Sequence, residues 1–287
     1  MDDTKKTYCV SVDGSKFSEY GWSLTYNELY KKGDRIIICH ISNPDKTIDQ
    51  IPYESQPKTI FLKYQTVCGG KLKEGDYEVI VEPRTKGNVH ALENLKVISE
   101  NKKVDCIVMG YQGHKANIKK KELSKGIVYM IKNIYKPVFV IKENSIRKNK
   151  ESGGFTWLFG IVNRFSRSYQ AFELALSYID PAKDKIKGIN FYRSGDGHEK
   201  KEIETEFLKR CSSLKVKNVS FSYLELNKDL TVGKQINDII NFGDDYIDFV
   251  CLGHNSSKYK NIEEAPTVEV IKFAQVNIFF SPIKLIE

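Results

Sequence analysis

YCVSVDGSKFSEYGWSLTYNELYKKGDRIIICHI, residues 8–41, decides the fold. Residues 7–12 form a short apolar run that stops at Asp13-Gly14-Ser15. Residues 17–32 then carry Phe17, Tyr20, Gly21, Leu24 and Leu29 at a spacing that places them on one helical face. Lys31-Lys32-Gly33-Asp34 reads as a helix stop. Residues 35–41 are rich in isoleucine, as a buried strand requires. Strand, turn, helix and strand in that order predict a right-handed crossover between parallel strands.

The alternation continues. Helices are expected over 54–68, 88–101 and 123–134, and strands over 77–81, 104–109 and 137–141, with Pro137 at the first position of its strand, where a missing N–H is tolerated. Strands separated by helices predict a parallel sheet covered on both faces. The polar segment 142–154 is the best domain boundary. Beyond it the order recurs, with strands over 156–162, 185–192, 219–224, 249–252 and 277–280, and helices over 168–178, 200–214, 232–242 and 267–273.

The recurrence reaches single residues. Asp13 and Ser18 answer to Asn163 and Ser168, Gly21 to Ala171, and the run from Asp105 to Gly110 to that from Asp248 to Gly253. The expectation is a duplication, with domains at 1–143 and 155–287 and a linker at 144–154. Each is a doubly wound, Rossmann-like α/β domain with a five-stranded parallel sheet.

Composition limits the function. The chain has 287 residues, 40% hydrophobic and 29% charged, a soluble globular balance. No apolar run is long enough for a bilayer, so no membrane partner is expected. The first residues lack the parts of a signal peptide, and six cysteines include no C-x-x-C pair; both lead to an expected cytoplasmic location. Five scattered histidines do not suggest a zinc site. The formal charge of +8 comes without a basic stripe interleaved with aromatics, so no nucleic-acid partner is expected.

Three clusters carry possible chemistry. Asp13, Gly14 and Ser15 lie where the first strand meets its helix, the edge at which open parallel sheets bind ligands. Asp13 can accept hydrogen bonds from a ribose hydroxyl or an adenine amine. Equally, Asp13 and Ser15 can do no more than cap the helix. Gly110-Tyr111-Gln112-Gly113 follows the fourth strand, and is either a turn exposing N–H groups to phosphate or a plain turn. Lys119-Lys120-Lys121 either neutralises phosphate or is a solvated face. No nucleophile–base pair, metal-ligand cluster or carboxylate placed to activate water is visible, so the chain reads as a binder and not an enzyme, with slow ATP hydrolysis the remaining alternative.

With these motifs set out, residues 5–143 resemble the universal stress protein family. The likeness lies in residues 8–41, in VDCIVMGYQG at 104–113, and in KPVFVIK at 136–142. Residues 155–287 resemble it in eroded form. The resemblance implies an adenine-nucleotide ligand, ATP or AMP, in the first domain. It implies that Asp13 contacts ribose, that the backbone of Ile41, beside His40, contacts adenine, and that Gly110 and Gly113 lie at the phosphates. The family's third glycine and its following hydroxyl residue fall on Leu123 and Ser124. Counted back from Pro137, they fall on Ser124 and Lys125. Losing that glycine matters, because a Cβ crowds the backbone away from phosphate.

In the second half Asn163 stands for the aspartate, Arg164-Phe165 for Gly-Ser, and Gly253-His254-Asn255-Ser256 keeps one glycine, so that domain is expected to bind no ligand. Family dimers imply self-association, or a pseudo-dimer within one chain. The expected role is nucleotide-dependent regulation in stress physiology. The alternative is a scaffold acting through protein contacts.

Overall fold

The computed structural model describes residues 5–88, 90–113, 123, 125–147, 153–162, 166–193, 200–243, 246–254 and 265–282. Two compact units, Met1–Asn144 and Ser145–Glu287, divide the chain.

The first unit runs β1 (Thr7–Ser11), α1 (Lys16–Leu24), β2 (Arg35–Ser42), α2 (Pro57–Gly69), β3 (Tyr77–Pro83), α3 (Ala91–Asn101), β4 (Cys106–Gly110), α4 (Lys125–Asn133) and β5 (Val138–Ile141). All strand pairs are parallel, in the order β3-β2-β1-β4-β5. The order reverses at β1, so the chain leaves β1 and β4 in opposite directions and opens a crevice at their carboxyl ends. The buried runs Tyr8–Val10, Ile36–Cys39 and Cys106–Val108 fill the sheet between helices. α1 packs on β4 at Gly21, where a Cβ would be in ordinary contact, 3.4 Å from Val108 Cγ1.

The second unit repeats the plan: β6 (Thr156–Val162), α5 (Ser166–Leu176), β7 (Lys185–Tyr192), α6 (Lys200–Ser213), β8 (Asn218–Glu225), α7 (Val232–Phe242), β9 (Phe249–His254), α8 (Pro266–Phe273) and β10 (Asn277–Pro282). Its parallel order is β8-β7-β6-β9-β10. Three expected elements, β6, β7 and α7, have the bounds read from the sequence.

Elsewhere the bounds move for local reasons. The first helix was expected to reach Lys32, but α1 ends at Leu24 and passes into a π-helical turn, Thr25–Leu29. There the Thr25 hydroxyl donates to the Gly21 carbonyl at 2.8 Å, competing with the backbone ladder. The second helix starts at Pro57 and not Glu54, because proline suits the first helical position. The third starts at Ala91, where His90 and Glu93 form a reciprocal cap.

The duplication survives as matching hydrogen bonds. The Thr7 amide donates to Asp105 Oδ2, and the Thr156 amide to Asp248 Oδ2, both at 2.8 Å. The Lys6 amide donates to Asp34 Oδ1, and the Phe155 amide to Asp184 Oδ1. Thr7 therefore matches Thr156, and the registers Thr7↔Arg35 and Thr156↔Lys185 agree. Counted along the strands, Asp13 corresponds to Val162, one residue before the Asn163 expected from the sequence alone. At that register position the second unit's sequence has valine in place of aspartate.

The segment read as a linker is partly built into the second unit. Arg147 is 7% exposed and Asp184 fully buried. Their guanidinium and carboxylate pair in a fork, at 2.7 and 2.6 Å. Asp184 also accepts from the amides of Phe155 and Asp180 and from the indole of Trp157.

Candidate functional site

The candidate site sits at the carboxyl edge of the first sheet. β1 ends at Ser11 and the chain turns through Asp13-Gly14-Ser15 into α1. Gly14 has φ +80°, a backbone that glycine tolerates best. A Cβ on it would meet the Glu54 carbonyl oxygen at 2.2 Å. The Ser55 hydroxyl donates to the Asp13 carbonyl at 2.6 Å, so the short turn Tyr53–Ser55 clamps this corner.

The β1 and β4 turns meet. A Cβ on Gly113 would lie 2.3 Å from Asp13 Oδ2, so a larger residue there would have to push the carboxylate aside. Asp13 is partly open to solvent, and its Oδ1 accepts from the Ser15 amide at 3.0 Å. Ser15, named in the expected ligand set, has its hydroxyl engaged within the protein. It is 6% exposed; its hydroxyl caps α1 at the Ser18 amide and donates to the Gln112 carbonyl. Its role is to tie the two turns together. Gly110 also has a packing reason, since a Cβ there would lie 2.7 Å from that of Phe17.

On the other side of β1, the register aligns Ser11 with Cys39, and Val12 donates to the Cys39 carbonyl. In a parallel ladder alternate residues face a given neighbour, so Ile41 also directs its amide and carbonyl toward β1. β1 has turned away by then, which leaves the Ile41 backbone facing the crevice without a ladder partner. His40 is 6% exposed, with Nδ1 2.8 Å from the Val12 carbonyl oxygen. Burial pulls the imidazole below its ordinary pKa, against weaker upward pulls from the Val12 carbonyl and the Asp13 carboxylate.

The Tyr111 ring packs under the Lys142 ammonium, 4.1 Å away, just after β5. Burial lowers Lys142 to about 7. Neither the clamp at Tyr53–Ser55 nor this lysine was singled out in the sequence. The closing KPVFVIK motif held the only signal for Lys142. Ser124 and residues 119–121 lie outside the described residues, as do Asn163 to Phe165. Lys125 opens α4, which by its place after β4 begins at this same edge. Among the described residues no three His, Cys, Asp or Glu side chains are grouped to hold a metal ion, and no helix is long and apolar enough to cross a membrane.

No protein-family profile and no curated protein matches the chain. Solved structures do. A universal stress protein from Archaeoglobus fulgidus DSM 4304 superposes with a TM-score of 0.66 at 16% identity, over 96% of this chain and 98% of that one. The fold is that of a universal stress protein. A protein of unknown function from Pseudomonas aeruginosa PAO1 follows at TM-score 0.60 and 8% identity, covering 97% of this chain and 93% of its own. The cytoplasmic domain of a prokaryotic cation chloride cotransporter gives 0.54 at 12% identity, covering 97% and 95%.

Within the universal stress protein fold, the second unit's carboxyl edge is chemically different. Val162 takes the place of Asp13. His254, at the end of β9, takes the place of Tyr111 by register and is 1% exposed. Burial lowers its imidazole to about 4.

Proposed function

We propose that the first unit binds an adenine nucleotide, AMP or ATP, in the crevice between β1 and β4, and that the chain is a nucleotide-responsive regulator in stress physiology. One observation carries the reading: the Asp13 carboxylate and the Gly113 turn meet at the sheet's carboxyl edge. Asp13 would accept hydrogen bonds from the ribose. The Ile41 amide and carbonyl match a donor–acceptor edge such as adenine presents. The turn through Gly113 and the positive end of α4 suit phosphate oxygens.

On this reading the protein binds nucleotide without turning it over. Steady phosphate release from ATP that disappears in Asp13→Ala would contradict it. Calorimetric titration with AMP and ATP, paired with thermal melts, is the direct test. Binding heat and a higher melting temperature are expected. Asp13→Ala should weaken affinity at least about tenfold, as expected for losing a charge-assisted hydrogen bond. Its folding stability should fall by only about 1 kcal/mol, the scale of a lost capping contact. No heat and no thermal shift in the unaltered protein would end the proposal.

A further inference from the structure

His40 of β2 and Asn190 of β7 occupy one position in the duplicated plan. Each is five residues beyond the strand start, Arg35 or Lys185, that the registers equate. Each makes the same contact. His40 Nδ1 lies 2.8 Å from the carbonyl oxygen of Val12, and Asn190 Nδ2 donates at 3.2 Å to that of Ile161. Val12 and Ile161 are themselves equivalent. The remaining polar atoms, His40 Nε2 and Asn190 Oδ1, are both buried and have no hydrogen-bond partner among the described residues.

A carbonyl oxygen only accepts, so the proton of neutral His40 sits on Nδ1 and leaves Nε2 a bare acceptor. In Asn190 the amide nitrogen faces the carbonyl and Oδ1 is the acceptor. Two unrelated side chains thus meet one specification: a donor to the end of the first strand, and an acceptor turned elsewhere. Buried acceptors without partners are rare, and each is a reason to look for the group that satisfies it.

Resting on the nucleotide reading above, we propose that His40 Nε2 is a specificity-determining atom of the first unit's site, accepting a hydrogen bond from an N–H or O–H group of the bound nucleoside. His40 lies between the two places that reading uses, bonded to the residue before Asp13 and adjacent in sequence to Ile41. The chemistry required is a neutral donor, either the exocyclic amine of the base or a ribose hydroxyl. Nε2 has no contact with water, so a donor reaches it only as neighbouring side chains make way. An acceptor that water does not satisfy discriminates strongly between ligands with and without a donor.

The test is calorimetric titration of the intact chain with AMP, IMP, 2′-deoxy-AMP and 3′-deoxy-AMP, in the unaltered protein, His40→Leu and His40→Asn. Asn190 shows that asparagine meets the same specification, so His40→Asn should stay within a few-fold of the unaltered protein. His40→Leu should lose about tenfold or more in AMP affinity and the same factor of discrimination against one analogue. Lost discrimination against IMP assigns the amine, and against a deoxy nucleotide the corresponding hydroxyl. Uniform weakening for every ligand, or none, overturns the proposal.

Imidazole nitrogen NMR of the unaltered protein gives a second measure that needs no variant. Nε2 should move upfield on adding AMP, and an unmoved Nε2 with AMP bound also overturns the proposal. If no nucleotide binds the unaltered protein, the functional reading itself fails and takes this one with it. Normal AMP binding with an indifferent His40→Leu sinks the histidine's role alone.

Discussion

A buried histidine reports on its surroundings through pH. His254 is neutral in the fold because burial lowers its pKa to about 4, against about 6.5 in an unfolded chain. Between those values the unfolded state holds the extra proton, so stability must rise with pH across that window. It is fully present above about 6.5 and is lost as the pH falls toward 4, by about 3 kcal/mol from this group. Urea melts at pH 7, 5.5 and 4.5 should show the loss, and His254→Gln should reduce the slope. A residual slope is expected from His40, which is shifted in the same direction. An unchanged slope in His254→Gln would show that the imidazole is not what titrates. Nothing local in the sequence marked this residue: the strand was expected to stop at Leu252, whereas β9 continues to His254 and carries it inside. Asp13 and Gly113 were legible as a pair because parallel sheets gather strand ends at one edge. Ser15 was left with two readings because a capping serine and a ligand-contacting serine look alike until the partner of the hydroxyl is known.

At the scale of elements, periodicity located strands and helices well and their ends less well. The ends depend on side chains that compete with the backbone, such as Thr25 on the Gly21 carbonyl or His90 as a helix cap. Packing between elements was beyond reach for a different reason. Gly188 in β7 has no turn to make, yet a Cβ there would lie 2.6 Å from the Phe221 ring of β8 and 2.7 Å from the Phe207 ring of α6. Phe207 is fully buried and stacks on Phe172 with ring centroids 4.8 Å apart. Gly188→Ala should therefore overpack this layer and cost about 1–3 kcal/mol. A urea midpoint within error of the unaltered protein would mean that the rings repack freely. Only the fold brings these rings onto a glycine some 20 to 35 residues away, so strand pattern alone could not reveal the need.

For the whole molecule, the duplication was legible because charged punctuation recurs with the strands: Asp105 and Asp248 make the same bond at the same place. The boundary was read as a linker because residues 142–154 are polar, and composition does not reveal that Arg147 among them is buried. Its burial depends on Asp184, 37 residues away. Arg147→Met should leave that carboxylate buried without its counter-charge and cost about 3–5 kcal/mol, seen as loss of the second unit's unfolding transition at its normal denaturant concentration. The two copies have also diverged in chemistry. The first retains a carboxylate at the end of its first strand, while register gives the second a valine, which offers no hydrogen bond to a hydroxyl. If the Asp13–Gly113 corner is what holds nucleotide, the intact chain should titrate with one equivalent of AMP, and Asp13→Ala should abolish that single site and not half of the total. Two equivalents, with one persisting in Asp13→Ala, would place a second site at the edge where Val162 stands and would show that the carboxylate is dispensable to this fold's way of binding.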